Sequence, residues 1–75
     1  MQRILSILQG IRPEFDFTSS HDFVGDGMLD SFDVVTLVSD LDKAYGISIS
    51  GVDIVPENFQ NLAAIEKLLQ KYVKP

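Results

Sequence analysis

The chain has 75 residues, a hydrophobic content of 45%, no cysteine and a formal net charge of −5 at pH 7. A chain of this length has room for one hydrophobic core, so we expect residues 1–75 to form a single domain. The lack of cysteine excludes disulfides and cysteine-based zinc sites, and the acidic balance disfavours nucleic acid and anionic membrane surfaces as partners.

The first predicted element is an amphipathic helix over residues 2–11, which Gly10 weakens and Pro13 ends. Its apolar residues follow the i, i+3, i+4, i+7 spacing and are Ile4, Ile7, Leu8 and Ile11. This segment lacks a small-residue cleavage site, and no segment approaches the roughly 20 apolar residues that cross a bilayer. We therefore expect a cytoplasmic protein without membrane insertion.

A long connection without helical periodicity follows, over residues 13–30. Glycine, serine and aspartate alternate there with apolar residues, which are Phe15, Phe17, Phe23, Val24, Met28 and Leu29. Loops of this length are uncommon in compact domains unless they are functional or held by their own side chains. We expect the apolar residues to pin this loop over the helices.

The acidic residues are concentrated in one part of the chain. Eight of the eleven lie in residues 13–42, which contain no lysine or arginine. A one-sided negative field attracts proteins with basic patches. The alternative is that the acidic surface only keeps a small protein soluble.

The second predicted helix runs over residues 31–45, and Gly46 is suited to end it. Its apolar stripe consists of Val34, Leu37, Val38, Leu41 and Tyr45. Residues 47–56 are expected to form an extended loop, because a lone strand has no partner in this chain. Proline at position 56 then predicts one short helical turn over residues 56–59.

Asn61 is a suitable N-cap for the last predicted helix. Its apolar face consists of Leu62, Ile65, Leu68, Leu69 and Tyr72, and the lysines that complement its C-terminal dipole are Lys67, Lys71 and Lys74. The predicted fold is all-α: a small four-helix bundle of three main helices and one short helix, with a long loop between the first two.

Ser31 lies where the acidic loop meets the second helix. In the simplest interpretation Asp30 is the N-cap, Ser31 opens the first turn and Asp33 places negative charge near the positive end of the helix. The N-terminus of a helix also offers free N–H groups that can accommodate a phosphate bonded to an exposed hydroxyl. Ser31 is therefore the main candidate functional residue.

The stretches "GMLDSFDVVTLVSDLDKAYGI" and "PENFQNLAAIEKLL" resemble the acyl carrier protein family, with its peptidyl and D-alanyl carrier relatives, over nearly the whole chain. The resemblance implies that Ser31, preceded by Asp30 in the motif, carries a 4′-phosphopantetheine arm transferred from coenzyme A by a phosphopantetheinyl transferase. Acyl or aminoacyl groups would be held on its thiol as thioesters. The chain would be a non-catalytic monomer, served by partner enzymes with basic docking patches.

In this family the helix after the serine is the main recognition element. The positions that the resemblance assigns to partner binding are Asp30, Phe32, Asp33, Val35, Thr36, Ser39, Asp40 and Lys43. Phe32 and Val35 lie off the main apolar stripe, so they are partner contacts or they pin the long loop. If the cargo is a fatty or polyketide chain, the expected wall residues of its pocket are Ile54, Phe59, Leu62 and Ile65.

Two features bear on the type of cargo. Phe32 stands where leucine or methionine is usual, and the spacing from Gly27 to Ser31 is one residue longer than in the Gly-Ala-Asp-Ser-Leu form of fatty-acid carriers. The longer form, like "PENF", is similar to D-alanyl and other aminoacyl or specialised acyl carriers. Both fatty-acid or polyketide cargo and aminoacyl cargo therefore stay open.

Single features of the sequence are also found in three other classes of protein. An enzyme needs a base at a cavity, and His21 lies in a loop where a solvated or capping role is favoured. A calcium loop could use the four aspartates between residues 22 and 33, but Met28 and Phe32 stand at ligand positions, so we expect no metal. An unmodified acidic helical adaptor would show the same helix signals, and only covalent modification of Ser31 separates it from a carrier.

Overall fold

The computed structural model describes residues 2–73. It contains three α-helices, α1 (Gln2–Ile11), α2 (Ser31–Tyr45) and α3 (Leu62–Leu69), and two 3₁₀ turns, Gly51–Asp53 and Pro56–Phe59. Within residues 2–73 there is no β-strand. The all-α prediction is confirmed, but the expected fourth short helix is only a 3₁₀ turn, and the turn at Gly51–Asp53 replaces part of the predicted extended loop.

Helix α1 has the predicted bounds and packs against α2 and α3. Ile4 and Leu8 are fully buried, as their spacing requires. The helix stops at Ile11 because Pro13 disfavours helical backbone in the residue before it. The N–H of Arg12 still donates to the carbonyl of Leu8 at 2.9 Å, which holds Arg12 at the end of the helix.

Helix α2 is ended by Gly46, as predicted. Gly46 has φ of +64°, a left-handed conformation that favours glycine, and its N–H donates to the carbonyl of Asp42. The side chains of Leu37, Val38 and Leu41 enter the core from this helix.

The long loop before α2 is pinned by its own apolar side chains, as predicted. Its buried residues are Phe17, Phe23, Met28 and Leu29. The rings of Phe17 and Phe23 meet edge to face with centroids 5.0 Å apart. Phe23 also donates its N–H to the carbonyl of Gln60 at 2.6 Å, and its own carbonyl accepts from Met28 and Leu29. The loop therefore delivers the chain to the start of α2 at a defined position.

Helix α3 begins as predicted, with the side chain of Asn61 accepting the N–H of Ala64 at 2.8 Å. The side chain of Tyr72 packs against the core as predicted, but Tyr72 lies outside the helix, which ends at Leu69. The hydroxyl of Tyr72 donates to the carboxylate of Asp53 and accepts the N–H of Ser50 at 3.0 Å. Lys71 pairs with the same carboxylate at 2.9 Å. Lys74 lies outside the described residues.

These contacts at Asp53 hold the Gly51–Asp53 turn against the end of the chain that the structure describes. The hydrogen bonds from Tyr72 and Lys71 lower the pKa of Asp53, although its partial burial opposes them. In residues 2–73 no helix has the length and apolar character that crossing a bilayer requires.

Candidate functional site

The start of α2 is a reciprocal capping box. The backbone N–H of Asp33 donates to Oδ1 of Asp30 at 2.8 Å, and the backbone N–H of Asp30 donates to Oδ2 of Asp33 at 3.2 Å. Asp30 is the N-cap in extended conformation, so Ser31 is the first helical residue, as predicted.

Arg12 connects the end of α1 to this capping box. Its Nε donates to Oδ2 of Asp33 at 2.8 Å, and its other two guanidinium nitrogens lie 3.4 Å from Oδ2 of Asp30 and 3.5 Å from Oε2 of Glu14. The side chain of Asp33 is only 13% exposed, whereas those of Asp30 and Glu14 are more than half exposed. The Arg12–Asp33 bond is therefore the inner contact of the group and the other two are outer contacts.

The surroundings of Asp33 favour its charged form. Partial burial alone would raise the pKa of its carboxyl, but the hydrogen bonds from the Asp30 N–H and from Arg12, with the positive charge of Arg12, outweigh that effect. The pKa of Asp33 consequently lies below its ordinary value. The hydrogen bond to Asp33 and its negative charge in turn raise the pKa of Arg12.

The Ser31 side chain is exposed, and within residues 2–73 its hydroxyl makes no hydrogen bond. It opens onto a groove of about 290 Å³ between α2 and the segment that leads into the Pro56–Phe59 turn. The groove is mostly apolar and is lined by Val24, Asp30, Ser31, Val34, Val35, Ile54, Val55 and Pro56. A group attached to Ser31 would thus have solvent on one side and an apolar surface on the other.

Only one of the four predicted wall residues, Ile54, lines this groove. Phe59 and Ile65 are fully buried in the core, and Leu62 lines a different depression beside Phe17. These three residues therefore do not line this groove. Their periodicity indicates burial but not which cavity they face. Val24, Val34 and Val55 also line the groove but were not predicted as wall residues. A β-branched residue in a loop or on the apolar stripe of a helix does not indicate by itself that it borders a groove.

The predicted partner-binding residues of α2 are divided between surface and interior. Phe32 is 82% exposed and Val35 is 63% exposed, so neither pins the long loop. The other exposed members are Asp30, Thr36, Ser39 and Lys43, while Asp33 and Asp40 are half-buried. The Thr36 hydroxyl donates to the carbonyl of Phe32 at 3.1 Å. Since Asp33 is bonded to Arg12, its carboxylate already has a structural role.

The residues that could suggest an enzyme or a calcium site, His21 and the loop aspartates, make hydrogen bonds to nearby backbone or side-chain groups. His21 is exposed, and its carbonyl accepts the side-chain N–H of Asn61 at 3.1 Å. Asp22 accepts the N–H of Gly25, and Asp26 accepts the hydroxyl of Ser20. In the part of the chain that the structure describes, no three acidic or histidine side chains are grouped so that they could hold a metal ion.

A family model described as "phosphopantetheine attachment site" matches residues 2–69 of the chain. No curated protein sequence and no solved structure matches it significantly.

The residues at the start of α2 are compatible with such a group. The Ser31 hydroxyl is exposed, and the first turn of a helix offers N–H groups and the positive end of the dipole to a phosphate. The adjacent groove has the apolar surface that the methylene-rich part of an arm or its cargo requires.

Replacing Asp33 by asparagine tests the capping box. Because the folded-state pKa of Asp33 is depressed, its charge contributes stability fully above the ordinary aspartate pKa of about 3.9, and this contribution is lost as the pH falls through the folded-state value. We expect Asp33→Asn to lower the unfolding free energy by about 1 kcal/mol near neutral pH and to flatten its decline below pH 4. Urea unfolding followed by circular dichroism over this pH range measures both.

The matched control is Asp40→Asn, on the same helix but outside the capping box, with an expected change within about 0.5 kcal/mol. Equal effects of the two substitutions, at neutral pH and in acid, would show that the capping box contributes nothing specific.

Proposed function

Since the chain belongs to the acyl carrier protein family, whose members bear 4′-phosphopantetheine, we propose that Ser31 is the residue to which this group is attached. The observation that supports this most directly is the position of Ser31 as the exposed first residue of α2, directly after the N-cap Asp30. The proposed unit is a single carrier domain that acts in the cytoplasm as a monomer.

The group supplies a thiol on a flexible arm, on which acyl or aminoacyl intermediates are held as thioesters. The chain has no cysteine, so within its sequence no side chain could replace that thiol. Attachment forms a bond between the Ser31 oxygen and the phosphorus atom of phosphopantetheine. It breaks the pyrophosphate link of coenzyme A and releases adenosine 3′,5′-bisphosphate, and the hydroxyl proton passes to a base of the transferase. The chain itself contributes the hydroxyl, its exposure and its position.

Carrier domains of this family are generally non-catalytic and interact with phosphopantetheinyl transferases and biosynthetic enzymes. We propose the exposed face of α2 as the docking surface for such enzymes. Phe32 and Val35 supply apolar contact beside Ser31, and Asp30 and Asp40 supply negative charge for a basic partner patch. Asp33 would act indirectly, by holding the start of the helix.

For the cargo we propose an acyl group of the kind used in fatty-acid or polyketide synthesis. The support is the apolar groove that begins at Ser31 and is lined by the side chains of Val34 and Ile54. A small aminoacyl group, as in a D-alanyl carrier, would leave most of this apolar surface uncovered. That second function is favoured by the longer spacing between Gly27 and Ser31, so the two need a direct comparison.

Modification of Ser31 is tested by intact mass spectrometry. The purified chain is incubated with coenzyme A and a broad-specificity phosphopantetheinyl transferase, and we expect one added phosphopantetheine. Ser31→Ala should gain nothing, because it lacks the hydroxyl. Ser48→Ala, an exposed serine after the end of α2, is the matched control and should gain the same mass as wild type.

Two results would contradict the attachment. Mass gain on Ser31→Ala would move the site to another residue. No gain on wild type, while a known carrier is modified in parallel, would favour the unmodified acidic adaptor.

The docking surface is tested by truncating Phe32 on α2, with an equally exposed apolar residue outside α2 as the control. Truncating a hot-spot residue, of the kind that clusters at the centre of an interface, costs more than about 1 kcal/mol, or about fivefold in affinity. We therefore expect Phe32→Ala to raise the KM of the transferase for the chain about fivefold, without loss of thermal stability. Val52→Ala removes an equally exposed side chain from the Gly51–Asp53 turn and should leave KM unchanged. Equal KM values for both variants and wild type would remove Phe32 from the docking surface.

The cargo is tested by comparing melting temperatures of the modified chain charged with octanoyl, acetyl or alanyl groups. Each buried methylene contributes about 0.8 kcal/mol, and 1 kcal/mol shifts the Tm of a domain of this size by about 4–8 °C. We expect the octanoyl form to melt at least about 4 °C above the other two. Equal melting of all three would indicate that the groove does not hold the cargo and would favour the aminoacyl carrier.

A further inference from the structure

Attachment of a phosphodiester at Ser31 adds negative charge to a place that already carries an excess of it. The side chains of Glu14, Asp30 and Asp33 face one guanidinium, that of Arg12. This is an excess of two negative charges, and the phosphodiester adds a third beside Asp30. Like charges gathered at one exposed site destabilise the folded state unless a cation is close.

Arg12 is the cation that the structure places at this end of α2. Residues 13–42 contain no lysine or arginine, and Lys43 lies twelve residues along the helix from Ser31, which corresponds to roughly 18 Å. Arg3 is at the same far end, since its guanidinium donates to the carbonyl of Ala44 and lies 5.0 Å from the ring of Tyr45. Among the described residues, only Arg12 has its charge in contact with the capping box.

The contacts of Arg12 differ in strength. The Nε bond to Asp33 is short and partly buried, so it anchors the guanidinium. The contacts to Asp30 and Glu14 are long and exposed, and exposed pairs of this kind contribute little. Arginine also presents its donors in a rigid fork that suits phosphate oxygens as well as carboxylates. The Nε side of the guanidinium is thus fixed on Asp33. Its two terminal nitrogens can exchange partners at a low cost in free energy.

We propose that Arg12 is the counter-charge of the phosphodiester on Ser31 and a positioning residue for the root of the arm. This rests on the proposed attachment at Ser31. Arg12 stays anchored to Asp33 in both forms of the protein. In the modified form its outer nitrogens neutralise the phosphodiester in addition to Asp30. The fork then stabilises the modified protein more than the unmodified one.

The test is a cycle of substitution and modification, with melting temperature as the readout. Arg12→Gln removes one positive charge just after the end of α1, and the matched control Arg3→Gln removes one near its start. Both are prepared with and without phosphopantetheine, and intact mass establishes modification first. We expect Arg12→Gln to lower the Tm of the modified form about 2–4 °C more than that of the unmodified form. Arg3→Gln should lower the Tm of both forms equally.

A second measurement needs no substitution. The chain contains two arginines, Arg3 and Arg12, so their guanidinium N–H signals are readily assigned in a nitrogen-15 NMR spectrum. On modification of wild type the outer N–H signals of Arg12 should shift, and those of Arg3 should not.

The outcomes separate this proposal from the proposed function. Equal losses of Tm in the two forms of Arg12→Gln, or unchanged Arg12 signals, would leave Arg12 as a structural clamp only and overturn this proposal while modification of Ser31 stands. If Arg12→Gln does not fold, the wild-type NMR comparison decides alone. Absence of mass gain on wild type would overturn both proposals together.

Discussion

The hydrogen-bonded contact between Arg12 and Asp33 is the constraint on which the arrangement of the site depends. Asp33 caps the start of α2 from within the helix, while Arg12 is held at the end of α1 by its own backbone. The contact therefore ties the ends of two helices together across an intervening loop of 18 residues, 13–30. Without it, the start of α2 would be positioned only by the loop and by the packing of α2 in the core, and helix ends lose order more readily when they are not paired.

The loop itself contributes to the core instead of merely connecting two helices. Its two fully buried phenylalanines, Phe17 and Phe23, pack on each other, and Phe23 is bonded through its backbone to Gln60 near the start of α3. A domain of this size buries only about 60% of the surface of its unfolded chain. The apolar residues that the loop adds to the core are therefore important for its stability. The same packing brings Val24 to the groove beside Ser31. One segment thus supplies both core and site.

Most of the helix bounds could be predicted from the sequence, because they depend on the residues at and near each helix end. The apolar spacing predicted α1 and α2, and Asp30, Gly46 and Asn61 marked helix ends through their capping chemistry. The end of α3 could not be predicted this way. Tyr72 continues the helical periodicity, but its hydroxyl bonds to Asp53, nineteen positions earlier in the chain, and that contact is tertiary. The role of Arg12 was missed for the same reason, since its partner Asp33 is 21 residues away.

The acidic residues at the start of α2 form one cluster in the sequence, but the structure shows that they differ in their contacts. Asp33 is turned toward Arg12 and stabilises the helix, whereas Asp30 keeps one oxygen for the cap and an exposed one for the outer contact. A carboxylate that is paired and mostly buried attracts a partner less than an exposed one, because its charge is already compensated. Attraction of a basic partner would therefore depend on the exposed acids, and the hydrophobic contact on Phe32 and Val35. The domain can leave Phe32 and Val35 in solvent because Phe17 and Phe23 of its loop complete the core in their place.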